Sequence, residues 1–358
     1  MSSIPLGVSI GIFYKFNISH LISVFAWSFS EKTLIDAIQM HGELLSFVFG
    51  PVPSRRLGKS LGINNIPPKT CSYSCVYCQL GRTTNLSIER RKFYDPDDIV
   101  ESLRKKLENF RGKIDYVTFV PDGEPTLDKF IGFEAEAIKQ VTDFPLAVLT
   151  NSSLLFMEDV RKDLMNFDLV SLKIDAVSER TWKKINRPHP SLSLEEILRG
   201  IELFSKNFEG KLITETMLVN GLNSDSSSIR EVANFLSKVG PEKAYISVPT
   251  RPPAEKWVKP ANEEKLVEAH ESFEETLGKN KVELLTGYEG PEFHLGGDPA
   301  EALLAILAVH PMRIDYAHQA ISRMNRSPGE IIGKLIEEEK LKIVKYHGKE
   351  FLVRKLAK

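Results

Sequence analysis

All three cysteines of this 358-residue chain fall within eight residues, Cys71-Ser72-Tyr73-Ser74-Cys75-Val76-Tyr77-Cys78. Thiols separated by three and then two residues can wrap one small metal centre from a single loop. Three soft sulfur ligands suit an iron–sulfur cluster, or zinc if a fourth ligand arrives from elsewhere. No further cysteine exists to complete a four-cysteine site, and the nearest histidines in sequence are His41 and His189. A [4Fe–4S] cube held by Cys71, Cys75 and Cys78 keeps one iron open to a small molecule, and the chemistry is expected at that corner. A structural zinc knot and a bare thiol cluster are the plainer alternatives. With no cysteine left to pair, a disulfide framework is excluded and a reducing, cytoplasmic compartment is expected.

The length suits one large domain and a small one. A formal net charge of −1 argues against an overall polyanion binder and leaves a local basic face open. Residues 1–46 differ from the rest. Their apolar stretch, 4–29, is broken by Lys15, Asn17 and His20, and it lacks the basic start and small-residue cleavage site of a secretory signal. A lysine near the centre costs about 2.5–3.5 kcal/mol on insertion, so a membrane anchor is not expected. The segment reads as a loosely ordered extension, or as sequence upstream of a start at Met40.

From residue 47 a regular order begins. Strands are expected at 61–66, 116–120, 146–150, 169–174, 212–219 and 244–248. Helices are expected at 95–110, 127–141, 158–166, 194–208, 228–238 and 262–277. Short apolar strands alternating with amphipathic helices mean βαβ units and a parallel sheet. Right-handed crossovers curl six such units into a partial (β/α)6 TIM-like barrel over 47–290, with ligands at the carboxyl ends of its strands. Polar residues recur there: Asp122-Gly123-Glu124-Pro125, Thr150-Asn151-Ser152, Ser171 to Asp175, and Thr214-Glu215-Thr216. Alternation turns either Glu215, or Thr214 with Thr216, toward the interior. Arg55 and Arg56, just ahead of the cysteine loop, read either as a solvated pair or as a fork for an anionic group.

The cysteine spacing, with Tyr77 just before the last cysteine, resembles the signature of the radical S-adenosylmethionine (radical SAM) superfamily. Gly123-Glu124-Pro125 resembles that superfamily's glycine–glutamate–proline motif, although Asp122 stands where a second glycine is common. The stretch 50–82 is similar to uncharacterised prokaryotic members grouped with the wyosine-forming tRNA enzymes. The resemblance implies that S-adenosylmethionine chelates the open iron and that an electron from an external donor cleaves it to a 5′-deoxyadenosyl radical. It further implies a methionine amino group at Gly123, Glu124 and Pro125. Asn151, Ser152 and Asp175 would face the ribose and the methionine carboxylate, with Thr216 on the adenine side and Tyr77 beside the cofactor. The second cluster of true wyosine synthases needs three more cysteines, which this chain lacks, so that reaction does not carry over.

Beyond Gly296-Gly297, read as a hinge, residues 298–358 suggest three helices (300–309, 314–324, 327–339) and a hairpin turning at His347-Gly348-Lys349. This order resembles a winged helix-turn-helix domain. Eleven basic residues stand against eight acidic ones there, grouped around the hairpin. RNA contact, tRNA first, or recruitment of a protein substrate is therefore expected. Glu337-Glu338-Glu339 ends the third helix and suits a DNA major groove poorly. Three functions follow from the reading: a radical SAM enzyme modifying a macromolecule, an activase that places a radical on a partner protein, or a cluster-bearing redox sensor that binds DNA.

Overall fold

The computed structural model of the chain describes residues 47–355. The expectations for residues 1–46 lie outside the described residues. Two strands open the structure, β1 (Val48–Ser54) and β2 (Gly58–Ile63), paired antiparallel. After the cysteine loop come α1 (Pro96–Asn109), β3 (Tyr116–Phe119), α2 (Ile131–Lys139), β4 (Leu146–Thr150), α3 (Glu158–Leu164) and β5 (Leu169–Lys173). The series continues with α4 (Glu179–Asn186), α5 (Leu194–Ser205), β6 (Lys211–Met217), α6 (Ser226–Val239), β7 (Lys243–Ser247), α7 (Glu263–Leu277) and β8 (Val282–Leu285). Among the described residues these strands form one sheet in sequence order, and every pair after the first is parallel.

Local chemistry starts the helices where the sequence suggests. Asp95 caps α1 by accepting from the Asp97 amide, with Pro96 in the first turn. Asp225 and Asn262 cap α6 and α7 in the same way, and Gly240, at φ +64°, closes α6 in the left-handed region. On α1, Ile99, Val100 and Leu103 form the buried stripe. Helical stripes and the helix-facing strand residues, such as Val170, Leu172, Leu212 and Ile246, make the main core. The opposite faces of the strands enclose a smaller interior cluster of Leu57, Ala147, Leu169, Ile213, Tyr245 and Leu285. The result is an open, curled half-barrel, as the alternation of elements predicts.

The C-terminal part contains α8 (Pro299–Val309), β9 (Met312–Arg313), α9 (Ile314–Ser322), α10 (Pro328–Glu337), β10 (Leu341–Tyr346) and β11 (Lys349–Arg354). Its antiparallel sheet has the order β9-β11-β10. The three helices and the hairpin match the expected elements; β9 is an addition. This part packs on β1. Phe49 and Val52 share one apolar cluster with Phe293, Leu303, Ile306 and Met312. The His294 amide donates to the Pro51 carbonyl at 3.1 Å, so the stretch before the two glycines is itself anchored. Among the described residues no helix is long and apolar enough to cross a membrane.

Candidate active site

The cysteine loop leaves β2 and crosses the carboxyl ends of the parallel strands. Thr70 bridges Gly123, and the Glu124 amide donates to the Thr70 carbonyl at 3.1 Å. A Cβ on Gly123 would lie 1.9 Å from that same carbonyl oxygen. Glycine is therefore required there because the loop backbone lies against it. Farther along, the Ser72 and Ser153 hydroxyls share a hydrogen bond of 2.5 Å. The Ser74 amide donates to Asn186 O at 3.0 Å and the Val76 amide to Ile185 O at 2.9 Å. The loop is thus strapped to the ends of β3 and β4 and to α4.

All three cysteine side chains are half-buried. Burial pushes each thiol up; Asp175 and then Cys78 add to the rise at Cys75, which reaches about 12, and Cys75 and Cys78 add to that at Cys71. Glu124 adds to the rise at Cys71. Such thiols keep their protons at neutral pH until a cation displaces them. Two amides address the sulfurs: Asn151 Nδ2 donates to Cys71 Sγ and Asn186 Nδ2 to Cys75 Sγ, both at 3.4 Å. Among the described residues no three His, Cys, Asp or Glu side chains converge on a single metal ion. A cube is ligated at three different corners, so its thiolates need not meet at one point. Three thiols on one strapped loop, with amide donors at the sulfurs, fit a cluster and not a four-ligand zinc knot.

Glu124 is fully buried. Its Oε1 accepts from the Thr126 amide (3.1 Å) and from the Thr126 and Thr150 hydroxyls (2.6 and 2.7 Å); Oε2 accepts from the Asn151 amide (2.7 Å). Burial raises its pKa against the pull of these donors. The carboxylate therefore ties β3 to β4 and fixes Asn151, and one acceptor position remains on Oε2. Pro125 opens the short 3-10 turn Pro125–Leu127 that Glu124 caps. Asn151 is placed centrally, since Nδ2 also donates to Ser72 Oγ at 2.9 Å. Ser152 sits in the left-handed region at φ +69°, and its buried hydroxyl has no partner among the described residues.

Asp175 is the second hub. It accepts from Asn186 Nδ2 and the Met217 amide, both at 2.8 Å, and from the Tyr77 hydroxyl. Lys173 lies 5.1 Å from the centre of the Tyr77 ring and 2.7 Å from Glu215 Oε1. Tyr73, Asn151, Lys173, Asp175 and Asn186 line one small cavity, closed on its helix side by Trp182 of α4 and by Leu194, Ile197 and Ile201 of α5. The alternation on β6 is resolved: Glu215 faces the interior and meets Arg56, Lys173 and Ser247. Thr216 faces the helices, where its hydroxyl donates to Ile174 O at 2.8 Å. The structure does not bring Thr216 to the group that surrounds the loop, because β6 puts neighbours on opposite faces.

Arg56 is thus an interior residue, and burial lowers it to about 10. Arg55 donates to Leu285 O and Gly287 O, both at 2.6 Å. Arg251 reaches Gln79 Oε1 at 3.0 Å, next to Cys78, and also meets Glu289 and His310. Sequence reasoning missed Asn186 and Ser153. Asn186 comes from α4, whose signal was the spacing of buried Trp182, Ile185 and Asn186; Ser153 lies one residue past a strand tip.

Residues 65–236 match the Radical SAM superfamily. The UPF0026 protein MJ1312 of Methanocaldococcus jannaschii is 48% identical over 87% of this chain and 97% of its own length. The UPF0026 protein slr1464 of Synechocystis is 39% identical over 57% of this chain and 76% of its own length. Among solved structures, TYW1 with a lysine-pyruvate adduct bound aligns at 14% identity and TM-score 0.47, over 60% of this chain and 73% of that one. Radical SAM proteins use a [4Fe–4S] cluster and S-adenosylmethionine. A 48% identity over nearly the full length of a UPF0026 relative, with the superfamily match running from the cysteine loop through the ends of β3, β4, β5 and β6, shows that this chain belongs to the radical SAM superfamily, in its UPF0026 group.

Proposed function

We propose that the chain is an enzyme that holds a [4Fe–4S] cluster on Cys71, Cys75 and Cys78, binds S-adenosylmethionine at the strand ends, and modifies a macromolecule, tRNA first. When bound, that pair of groups supplies a 5′-deoxyadenosyl radical once an external donor has delivered an electron. The carrying observation is the hydrogen bonding of the loop to three strand ends at once. Asn151 touches Cys71 and Ser72 while its backbone is fixed by Glu124; Asp175 holds Tyr77 and Asn186, the latter against Cys75. A redox sensor has no use for this second ring of fixed polar groups.

In this reading Glu124 orients Asn151, and its remaining acceptor position on Oε2 suits a ligand ammonium. Asp175 and Tyr77 set the wall on the β5 side, and the apolar core beneath excludes water. The macromolecule is supported by the C-terminal part, whose order of helices and strands suits a winged helix. Its hairpin exposes Lys342, Lys345 and Lys349, and Tyr346 donates to Pro249 O at 3.0 Å, next to the end of β7. A basic hairpin beside the strand ends suits a phosphate backbone.

Anaerobically reconstituted protein given dithionite should convert S-adenosylmethionine to 5′-deoxyadenosine, and Cys75→Ala should not. A wild type that keeps its cluster and makes no product would overturn the enzyme. The double variant Lys342→Glu/Lys349→Glu should retain this uncoupled cleavage while tRNA affinity falls and loses part of its salt dependence; unchanged affinity would remove the docking role.

A further inference from the structure

The segment that follows β7 carries an aromatic ring that the proposed cofactor site does not use. Within it the Val258 amide donates to the Glu255 carbonyl at 3.0 Å, closing a tight turn with Lys256 and Trp257 at its tip. The turn is pinned from inside. Val258 is buried against Val76, Ile185 and Val219. The Glu255 amide donates to the Val76 carbonyl, between Cys75 and Cys78, at 3.0 Å. The buried Glu255 carboxylate accepts from Arg82 Nε and Nη2 (2.8 and 3.0 Å) and from Arg187 Nη1 (2.5 Å). On the far side the Asn220 amide donates to Lys259 O at 3.0 Å. With Glu255 and Val258 turned inward, Lys256, Trp257 and Lys259 face solvent, and Trp257 is 52% exposed.

We propose that Trp257 is a stacking platform for an unpaired base of the RNA substrate, with Lys256, Lys259 and Arg82 on the flanking phosphates. The inference rests on the proposed RNA substrate and narrows it: the nucleotide presented beside the cysteine loop lies in a loop, bulge or end, not in a paired stem. A single exposed apolar side chain is ordinary on a protein surface. Trp257 differs in being held on both sides, between two lysines, beside two guanidinium groups that share one carboxylate. A fixed indole offers a flat face to any base, and the cations around it neutralise the backbone. Paired bases keep their faces inside the stack, and a base that is to react must leave it. The start of the same segment reaches the basic hairpin, where Pro249 O accepts from the Tyr346 hydroxyl at 3.0 Å. One stretch of chain thus runs from the hairpin lysines to the cysteine loop, with Trp257 at the inner end.

The test is binding of single-stranded oligoadenylate RNA and of a blunt RNA duplex to the full chain, read by anisotropy of labelled RNA and by tryptophan emission. Of the three tryptophans, Trp182 is buried and Trp27 lies outside the described residues, so Trp257→Phe assigns the emission signal. Oligoadenylate should quench the wild type and leave the emission of Trp257→Phe unchanged. Trp257→Ala should bind oligoadenylate about 5- to 150-fold more weakly, with the same salt dependence, and Trp257→Phe should recover most of the affinity. Lys256→Glu/Lys259→Glu should weaken binding and flatten its salt dependence. Duplex affinity should not distinguish wild type from Trp257→Ala. Should Trp257→Ala fail to fold, the quenching lost in Trp257→Phe carries the same test. Equal oligoadenylate affinity in wild type and Trp257→Ala, with Lys342→Glu/Lys349→Glu still weakened, would overturn the platform and leave the RNA substrate standing. A loss in Trp257→Ala as large on duplex as on single strand would also overturn it. A wild type that binds neither RNA at low salt would overturn the RNA substrate and the platform together.

Discussion

Gly123 bears the sharpest constraint in the site, and it is steric. The Thr70 carbonyl occupies the space that any Cβ would need, and Ile66 Cδ1 stands 2.8 Å from the same point. Gly123→Ala must therefore lift the cysteine loop off the end of β3 or bend the turn that Glu124 caps. Overpacking of this kind costs about 1–3 kcal/mol. The strain falls on the loop backbone at Thr70, which the Lys69–Asp122 and Glu124–Thr70 backbone hydrogen bonds hold to this turn. Gly123→Ala is expected to keep its circular dichroism spectrum and to lose most of its iron after reconstitution, read as iron per chain and as absorbance of the cluster. Full iron content in this variant would show that the loop does not depend on the close approach.

Elements were legible where chemistry repeats along them. The caps at Asp95, Asp225 and Asn262, and the stripes behind them, place α1, α6 and α7 to within a few residues of the expected positions. Asp225 accepts from the Ser228 amide and hydroxyl at 3.0 and 2.7 Å. Asp225→Ala should lower stability by about 0.5–2 kcal/mol in urea unfolding and leave cofactor cleavage unchanged, because α6 lies on the outer face of the sheet. Three features escaped. The four-residue strand β8 carries Glu283 within it and is too short for alternation to register. α4 is rich in Lys and Arg and hides its buried side in three residues. β6 shows a polar run whose inward face depends on register: Ile213 packs in the interior beside Glu215, so Thr216 turns outward. Of the site, the loop, Gly123, Glu124, Asn151 and Asp175 were readable as motifs. The ties among them depend on distance between strands, which no single stretch of sequence encodes.

At the scale of the molecule, the barrel and the C-terminal part hold each other. Phe49 and Val52 on β1 are covered by residues that arrive after position 290. Removing 298–358 is therefore expected to yield an aggregating chain, read by size-exclusion chromatography, and Leu303→Ala in the intact chain should cost about 2–5 kcal/mol. A polar contact joins the same two parts near the cysteine loop. His310 follows α8, and its Nε2 lies 2.8 Å from Arg251 Nη2 and 3.3 Å from Glu289 Oε1. Gln79, one residue past Cys78, bonds both Arg251 and the Val309 carbonyl. Burial first, and then the Arg251 charge, lower the His310 pKa to about 3. The folded ring is thus neutral where an unfolded one takes up a proton. Its contribution to stability is complete above about pH 6.5 and is lost as pH falls toward 3, at up to about 1.4 kcal/mol per pH unit. His310→Gln retains an acceptor for Arg251 and cannot titrate. Between pH 6.5 and 5, above the range of ordinary carboxylates, its unfolding free energy should fall less steeply than that of wild type. Equal slopes would mean that His310 takes up a proton without opening the contact between the barrel and the C-terminal part.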